Sequence, residues 1–158
     1  MRVQDIMSKT VFTCTTSDTL TAAAQQMWEH DCGMIPIVDS DGKTVGIITD
    51  RDICMAAYIQ SRPLNAITVT DVMAKQVFSC RPEDDVAQVE KLFGEKQIRR
   101  APVVDAAGRA VGILSLNDIA RAAVHPDAHK QGLPGETVIQ TLAAICGLRS
   151  RQLRATKA

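Results

Sequence analysis

The stretch from Pro36 to Asp52 reads P-I-V-D-S-D-G-K-T-V-G-I-I-T-D-R-D, and the chain writes it again from Pro102 to Asp118 as P-V-V-D-A-A-G-R-A-V-G-I-L-S-L-N-D. The offset, 102 − 36 = 66, also carries Asp5 to Asp71, Met7 to Met73, Lys9 to Lys75, Phe12 to Phe78, Cys14 to Cys80 and Asp18 to Asp84 without a gap. A tandem duplication constrains the fold more than any local signal, because both copies must form the same supersecondary unit. A unit of about 60 residues buries only about 60% of its unfolded surface, so the two copies are expected to fold as one cooperative body.

Within one copy, Ile35, Ile37 and Val38 form an apolar run, Asp39 to Lys43 is a turn built on Asp41-Gly42, and Val45 to Ile48 is a second run. That pattern predicts strand, hairpin turn, strand. Thr49-x-x-Asp52 and Ser115-x-x-Asp118 follow, each ahead of apolar residues (Ile53, Ala56, Ala57; Ile119, Ala122, Ala123), which is how a helix begins. Upstream, Val3 to Met7 and Val69 to Met73 read as short helical turns, and Val11 to Cys14 and Val77 to Cys80 as β-like runs. Asp18 and Asp84 are candidate N-caps of helices that set Leu20, Ala23, Ala24 and Met27, or Val86, Val89 and Phe93, on one core-facing stripe.

The expected order is therefore β-α-β-β-α twice, an α/β fold of two small mixed sheets flanked by helices. Residues 1–60 form the first repeat and 69–124 the second. The linker, 61–68, belongs to a stretch from Tyr58 to Thr68 that carries Arg62-Pro63 and few apolar residues, as a surface connection would. Residues 125–158 have no counterpart in the repeat. They read as a Pro- and Gly-rich loop from His125 to Gly135, a helix from Glu136 to Cys146 and a basic tail from Arg149 to Lys157. The helix stripe is Val138, Thr141, Leu142 and Ile145, with Gly147 as its C′ stop, and it must bury against the repeats or another chain.

Eighteen basic and eighteen acidic residues cancel, so no global field draws the chain to nucleic acid or to a membrane. One Trp, one Tyr and three Phe make an aliphatic core and few stacking platforms for single strands. The five cysteines form no C-x-x-C pair; Cys14 and Cys80, equivalent in the repeat, read as small buried apolar residues. No run reaches the roughly eighteen apolar residues of a membrane helix, and no apolar signal core opens the chain. A reducing, cytoplasmic compartment is expected.

The chemistry is expected at the two strand-to-helix turns. A helix N-terminus is a ready anion site, and the hydroxyls of Thr49 and Ser115 add a donor for a phosphate oxygen. Asp52 and Asp118, one turn on, are suited to accept both hydroxyls of a ribose diol. An isolated T-x-x-D is a capping box and nothing more; duplication raises its weight. His125 and His129 flank Pro126 in loop-like sequence, a poor frame for zinc. Cys32, beside Gly33, has no basic sequence neighbour to make it reactive. With no Walker-type loop, zincin motif or nucleophile with a base, catalysis finds no support.

The doubled pattern, with D-I-M or D-V-M ahead of each unit, a proline before a strand, and V-G-I followed by [ST]-x-x-D, resembles the CBS domain, named after cystathionine β-synthase. Two in tandem resemble a Bateman module, and the resemblance covers roughly residues 2–124. It implies pseudo-two-fold symmetry between the copies, a homodimer, and a regulatory adenosine nucleotide (AMP, ADP or ATP) held in clefts between the halves and reported to an effector protein. No cofactor is required. Phosphate would fall to Thr49, Ser115, Arg51, Asn117 and, at positions similar to those used by AMP-activated kinase gamma subunits, Arg99 and Arg100, since guanidinium forks suit phosphate. The adenine would be walled by Val11, Phe12, Ile35, Ile47, Val77, Ala101 and Ile113, with backbone groups of Ile47 and Ile113 reading its edge. Asp50 is a departure, because a carboxylate beside a phosphate repels it. Two alternatives stay open: NAD or S-adenosylmethionine as the ligand, and a ligand-free scaffold that docks on an enzyme or transporter.

Overall fold

One aspartate closes each hairpin. In the first, Asp39 Oδ1 accepts from the N–H of Asp41 at 3.0 Å and of Lys43 at 2.9 Å, while Gly42 takes φ +77°, a conformation that favours glycine. In the second, Asp105 Oδ1 accepts from Ala107 and Arg109 at 2.9 Å each, and Gly108 takes φ +81°. The computed structural model describes residues 1–124 and 133–147; residues 125–132 of the predicted loop, with its two histidines, and the basic tail lie outside the described residues.

The chain runs α1 (Val3–Ile6), β1 (Cys14–Thr15), α2 (Leu20–Glu29), β2 (Met34–Val38), β3 (Thr44–Thr49), α3 (Asp50–Gln60), α4 (Val86–Lys96), β4 (Arg100–Val104), β5 (Ala110–Ser115), α5 (Leu116–Val124) and α6 (Gly135–Cys146), with short 3-10 turns at Leu64–Ala66 and Val69–Asp71. In the first unit β1 lies parallel to β2, and β2 antiparallel to β3, giving a mixed three-stranded sheet. In the second, β4 and β5 pair antiparallel and only Cys80 bridges in parallel to Val103. Both hairpins slip register at the same point, between Ile37 and Val38 and between Val103 and Val104. The predicted strands at Val11–Cys14 and Val77–Cys80 are thus shorter than their composition implied, because Val11-Phe12 and Val77-Phe78 have left the sheet.

The helix starts also need correction. Thr19, not Asp18, caps α2, and Asp85, not Asp84, caps α4 by accepting from Ala87 N at 2.9 Å. Asp18 and Asp84 instead close the turn before, accepting from Thr15 N at 2.6 Å and from Arg81 N at 2.8 Å. A short carboxylate serves either task, and spacing alone does not separate them.

The decisive feature is an exchange of leading segments. Val3 N donates to Asp84 O at 3.0 Å, Val86 N to Met1 O at 3.0 Å, and Ser8 and Ile113 exchange two backbone bonds of 2.9 Å. The same contacts recur 66 residues away in the opposite sense: Val69 N to Asp18 O at 2.8 Å, Leu20 N to Ile67 O at 2.9 Å, and Ile47 with Ala74. The start of each copy therefore completes the other copy's sheet and core. Val3 is wholly buried with Cys80, Val86, Val89 and Phe93, while Ile67 and Val69 are wholly buried with Leu20, Ile35, Ile37 and Ile48. Met7 lies on Gly112 and Met73 on Gly46, where a Cβ would collide with either sulfur. Within the stretch Tyr58–Thr68, α3 continues to Gln60, while Ala66-Ile67-Thr68 lead into the second copy and Ile67 is core.

Helix α6 packs on α4 and α5. Its Thr141 and Ile145 are buried, and the missing side chain of Gly94 admits Ala144. Leu142, predicted on the buried stripe, is 46% exposed. Gly147 is the C-cap but has φ −55°, so the helix does not end in a left-handed turn; Gln97 Nε2 donates to its carbonyl at 2.9 Å.

Candidate functional site

The two strand-to-helix turns are built alike. Asp52 Oδ2 accepts from Thr49 N at 2.9 Å and Thr49 Oγ1 at 2.7 Å, and Asp52 N donates back to Thr49 Oγ1 at 3.3 Å. Asp118 Oδ2 accepts from Ser115 N at 2.8 Å and Ser115 Oγ at 2.5 Å, and Asp118 N donates back at 3.3 Å. Each is a complete capping box, which fixes the helix start and aims the carboxylate. They differ in burial and in the second oxygen. Asp118 is 5% exposed and its Oδ1 is paired with Arg121 Nη2, whereas Asp52 is half-buried.

The second turn opens on a cleft of about 1100 Å³ walled by both repeats, just above the roughly 300–1,000 Å³ of small-molecule sites. The second repeat supplies Arg99, Arg100, Ile113, Ser115, Leu116, Asn117, Asp118 and Arg121, and α6 supplies Leu142. The first repeat supplies Ser8, Lys9, Thr10 and Phe12, which the Ser8–Ile113 bridge lays along β5, together with His30 to Met34 and Asp50. Asp31, at φ +46°, turns the chain out of α2 toward this wall. Phe12 is not a free face: its ring stacks on His30 at 3.5 Å between centroids, 1° from parallel.

Four cations, Lys9, Arg99, Arg100 and Arg121, meet three carboxylates, Asp31, Asp50 and Asp118. Arg100 reaches across Gly33, where the head of its guanidinium takes the space a Cβ would need, with Asp50 Oδ2 against the same point. Asp50 therefore lines the second cleft. Cys32 also lines the cleft, and burial pushes its thiol above the ordinary range despite the Arg100 charge, which disfavours a reactive thiolate.

Of the residues expected to form a site, the cleft gathers Phe12, Arg99, Arg100, Ile113, Ser115, Asn117 and Asp118. Thr49, Arg51 and Asp52 stay at the equivalent turn of the first repeat, with Arg51 exposed. Ile35 and Ala101 are wholly buried core residues outside the lining of this cleft. Val11, Ile47 and Val77 are half-buried and outside the lining of this cleft. The backbone N–H and carbonyl of Ile47 each pair with Ala74, and those of Ile113 each pair with Ser8. Sequence reasoning missed Lys9, Thr10, His30, Asp31 and Arg121. Lys9 had a signal in its repeat partner Lys75, but only the segment exchange shows which cleft it enters. A smaller hollow of about 390 Å³ lies at the hairpin ends near Lys43, Arg81, Asp84 and Asp105, where both carboxylates are already engaged in turns.

Paired α/β units that exchange leading segments around a charged cleft define a class of tandem two-unit modules. The CBS domain model matches residues 3–58 and 69–125, and the chain belongs to the CBS domain family. It is 33% identical over 143 residues to Hypoxic response protein 1 of Mycobacterium tuberculosis, covering 90% of this chain and 92% of that one. The CBS domain pair of protein MJ0100, solved with 5′-methylthioadenosine and S-adenosyl-L-methionine, superposes with a TM-score of 0.71 at 33% identity, covering 77% of this chain and 94% of that one. CBSX2, solved with AMP, superposes with a TM-score of 0.70 at 25% identity, covering 80% and 98%.

Proposed function

We propose that this protein is a regulatory module, not an enzyme, that binds an adenosine nucleotide (AMP, ADP or ATP) in the cleft at the second repeat and reports its presence to a partner protein. The observation that carries this reading is the convergence of Ser115 and Asp118 with Arg99 and Arg100 on one cleft. The ribose diol engages the Asp118 carboxylate; Ser115 Oγ, Asn117 and the two guanidinium groups take phosphate; Ile113 and the Phe12–His30 stack face the base. Adenosine ligands in two structural neighbours support the ligand class. Because both repeats wall the cleft, a ligand acts as a clamp across them, and it shifts their relative placement by as much as it favours one arrangement.

Asp118→Ala is expected to weaken AMP binding about 10- to 100-fold, the loss of charge-assisted bonds worth about 1.5–3 kcal/mol; Asp52→Ala leaves this cleft's affinity within about twofold. Calorimetry that finds AMP binding unchanged in Asp118→Ala sinks the assignment. Trp28 on α2, and Tyr58 and Ile59 on α3, are 88%, 79% and 70% exposed, apolar surface that a second copy would cover. A dimer by light scattering is the expected outcome, and a monomer at every concentration contradicts it. The five cysteines are free thiols, and no helix among the described residues is long and apolar enough to cross a membrane; both fit the cytoplasm.

The scaffold reading draws on the two capping boxes, which already engage both carboxylates. A thermal-shift panel of AMP, ADP, ATP, NAD and S-adenosylmethionine separates the readings, since a ligand at 100 times its dissociation constant adds about 2.7 kcal/mol. A flat panel favours the scaffold.

A further inference from the structure

Arg121 and the proposed nucleotide compete for one carboxylate. Asp118 gives its Oδ2 to Ser115 N and Ser115 Oγ, and its Oδ1 to Arg121 Nη2. A carboxylate offers about four lone-pair directions, so a diol donating both hydroxyls needs lobes on the oxygen that Arg121 holds. The Arg121 side chain is 69% exposed although its tip is engaged, and it lines the cleft beside Lys9, Arg99 and Arg100. In the first repeat the equivalent position, 121 − 66 = 55, is Met55, and the Thr49–Asp52 capping box is complete without any cation there. The ion pair is thus not a requirement of the turn.

We infer that Arg121 is a specificity-determining residue that holds the ribose carboxylate against uncharged nucleosides and swings onto the phosphate of a nucleotide. The inference rests on the nucleotide reading above. A nucleoside breaks the Arg121–Asp118 pair and returns no anion to the guanidinium. A nucleotide replaces the lost carboxylate with phosphate oxygens of higher charge, which hold the forked, flexibly mounted group more strongly than the carboxylate did. Freeing the carboxylate lowers the apparent affinity of every ligand, and only an anionic ligand recovers the difference.

The test is calorimetry of adenosine and AMP on the full chain carrying Arg121→Met, which installs the first repeat's side chain, and on Arg121→Lys. Arg121→Met is expected to tighten adenosine about 3- to 5-fold and to weaken AMP about 10-fold; Arg121→Lys keeps the charge and retains most of the AMP affinity. A variant that only loosens the fold weakens both ligands together, so movement in opposite directions is the diagnostic. Affinities that move the same way, or not at all, overturn the role of Arg121 while the nucleotide reading stands. Failure of the unaltered chain to bind either ligand overturns the nucleotide reading and this inference with it.

Discussion

The two repeats share a backbone and the hydroxyl–carboxylate pair at each strand-to-helix turn, and differ in many of the side chains around that pair. The aspartate-closed hairpins, the slipped register and the methionine packed on a strand glycine occur in both copies. So does a left-handed residue after the second helix of each unit, Asp31 at φ +46° and Gln97 at φ +50°. Against that constancy, Gly33-Met34 becomes Arg99-Arg100, Asp50-Arg51 becomes Leu116-Asn117, and Met55 becomes Arg121. Phe12 stacks on His30, whereas its counterpart Phe78 has Lys96 over the ring at 5.3 Å. Trp28 stands exposed where the second repeat has Gly94 and receives α6. Duplication preserved what the backbone needs, the conformations and close approaches that few residues satisfy, and left the cleft-facing positions free to concentrate basic groups at one site.

The comparison breaks most visibly in the cores. Phe93→Ala and Leu20→Ala each remove a wholly buried side chain and are expected to destabilise by about 3–5 and 2–5 kcal/mol. Because each core contains the other repeat's leading segment, both variants lower one shared unfolding transition; two separate transitions in calorimetry would show the repeats to be independent. Next in size, Gly33→Ala places a Cβ where the Arg100 guanidinium lies. AMP affinity is expected to fall about 3- to 10-fold as that phosphate contact is displaced, with little change in melting temperature. Unchanged affinity would remove the first repeat from the site.

The helix caps sharpen the register of the repeat. Thr19→Ala and Asp85→Ala are each expected to cost about 1 kcal/mol in urea unfolding, and larger losses for Asp18→Ala than for Thr19→Ala would reverse the cap assignment. The smallest effect is a pH slope confined to the second repeat. Burial beneath α6 holds the Glu90 carboxyl above its ordinary value of 4.5, opposed by hydrogen bonds from Thr137 and Thr141 and assisted by the Asp85 charge. The folded chain then binds that proton more tightly than the unfolded one. Stability from this group is highest below 4.5, declines as pH rises through the raised value, and is constant beyond it. Glu90→Gln flattens that decline; an unchanged slope would place its origin elsewhere.

Much of the fold was legible because short-range chemistry dictates it. Asp-x-Asp-Gly between apolar runs names a hairpin, and a hydroxyl three residues before a carboxylate names a helix start. The shift of the caps from Asp18 and Asp84 to Thr19 and Asp85 was not legible, since neighbouring residues offered equivalent acceptors and the preceding turn had already taken one of them. Ile35 and Ala101 are wholly buried, and strand alternation reports two faces without saying which is covered. Arg121 was invisible for a related reason: an arginine on a helix surface is ordinary until the carboxylate a turn before it is found to be buried.

The sequence by itself determined that there are two copies of one unit, where each turns, where its helices begin, and which side chains carry charge near those starts. The tertiary structure alone decided that the segment opening each copy belongs to the core of the other. Nothing local selects that exchange: Val3 and Val69 are equally apolar and equally placed, and either repeat's sheet edge would satisfy their backbone groups. The choice comes from which arrangement buries both segments and satisfies both edges at once, a property of the assembled pair, and it is this choice that brings Lys9 and Phe12 to the cleft of Ser115 and Asp118.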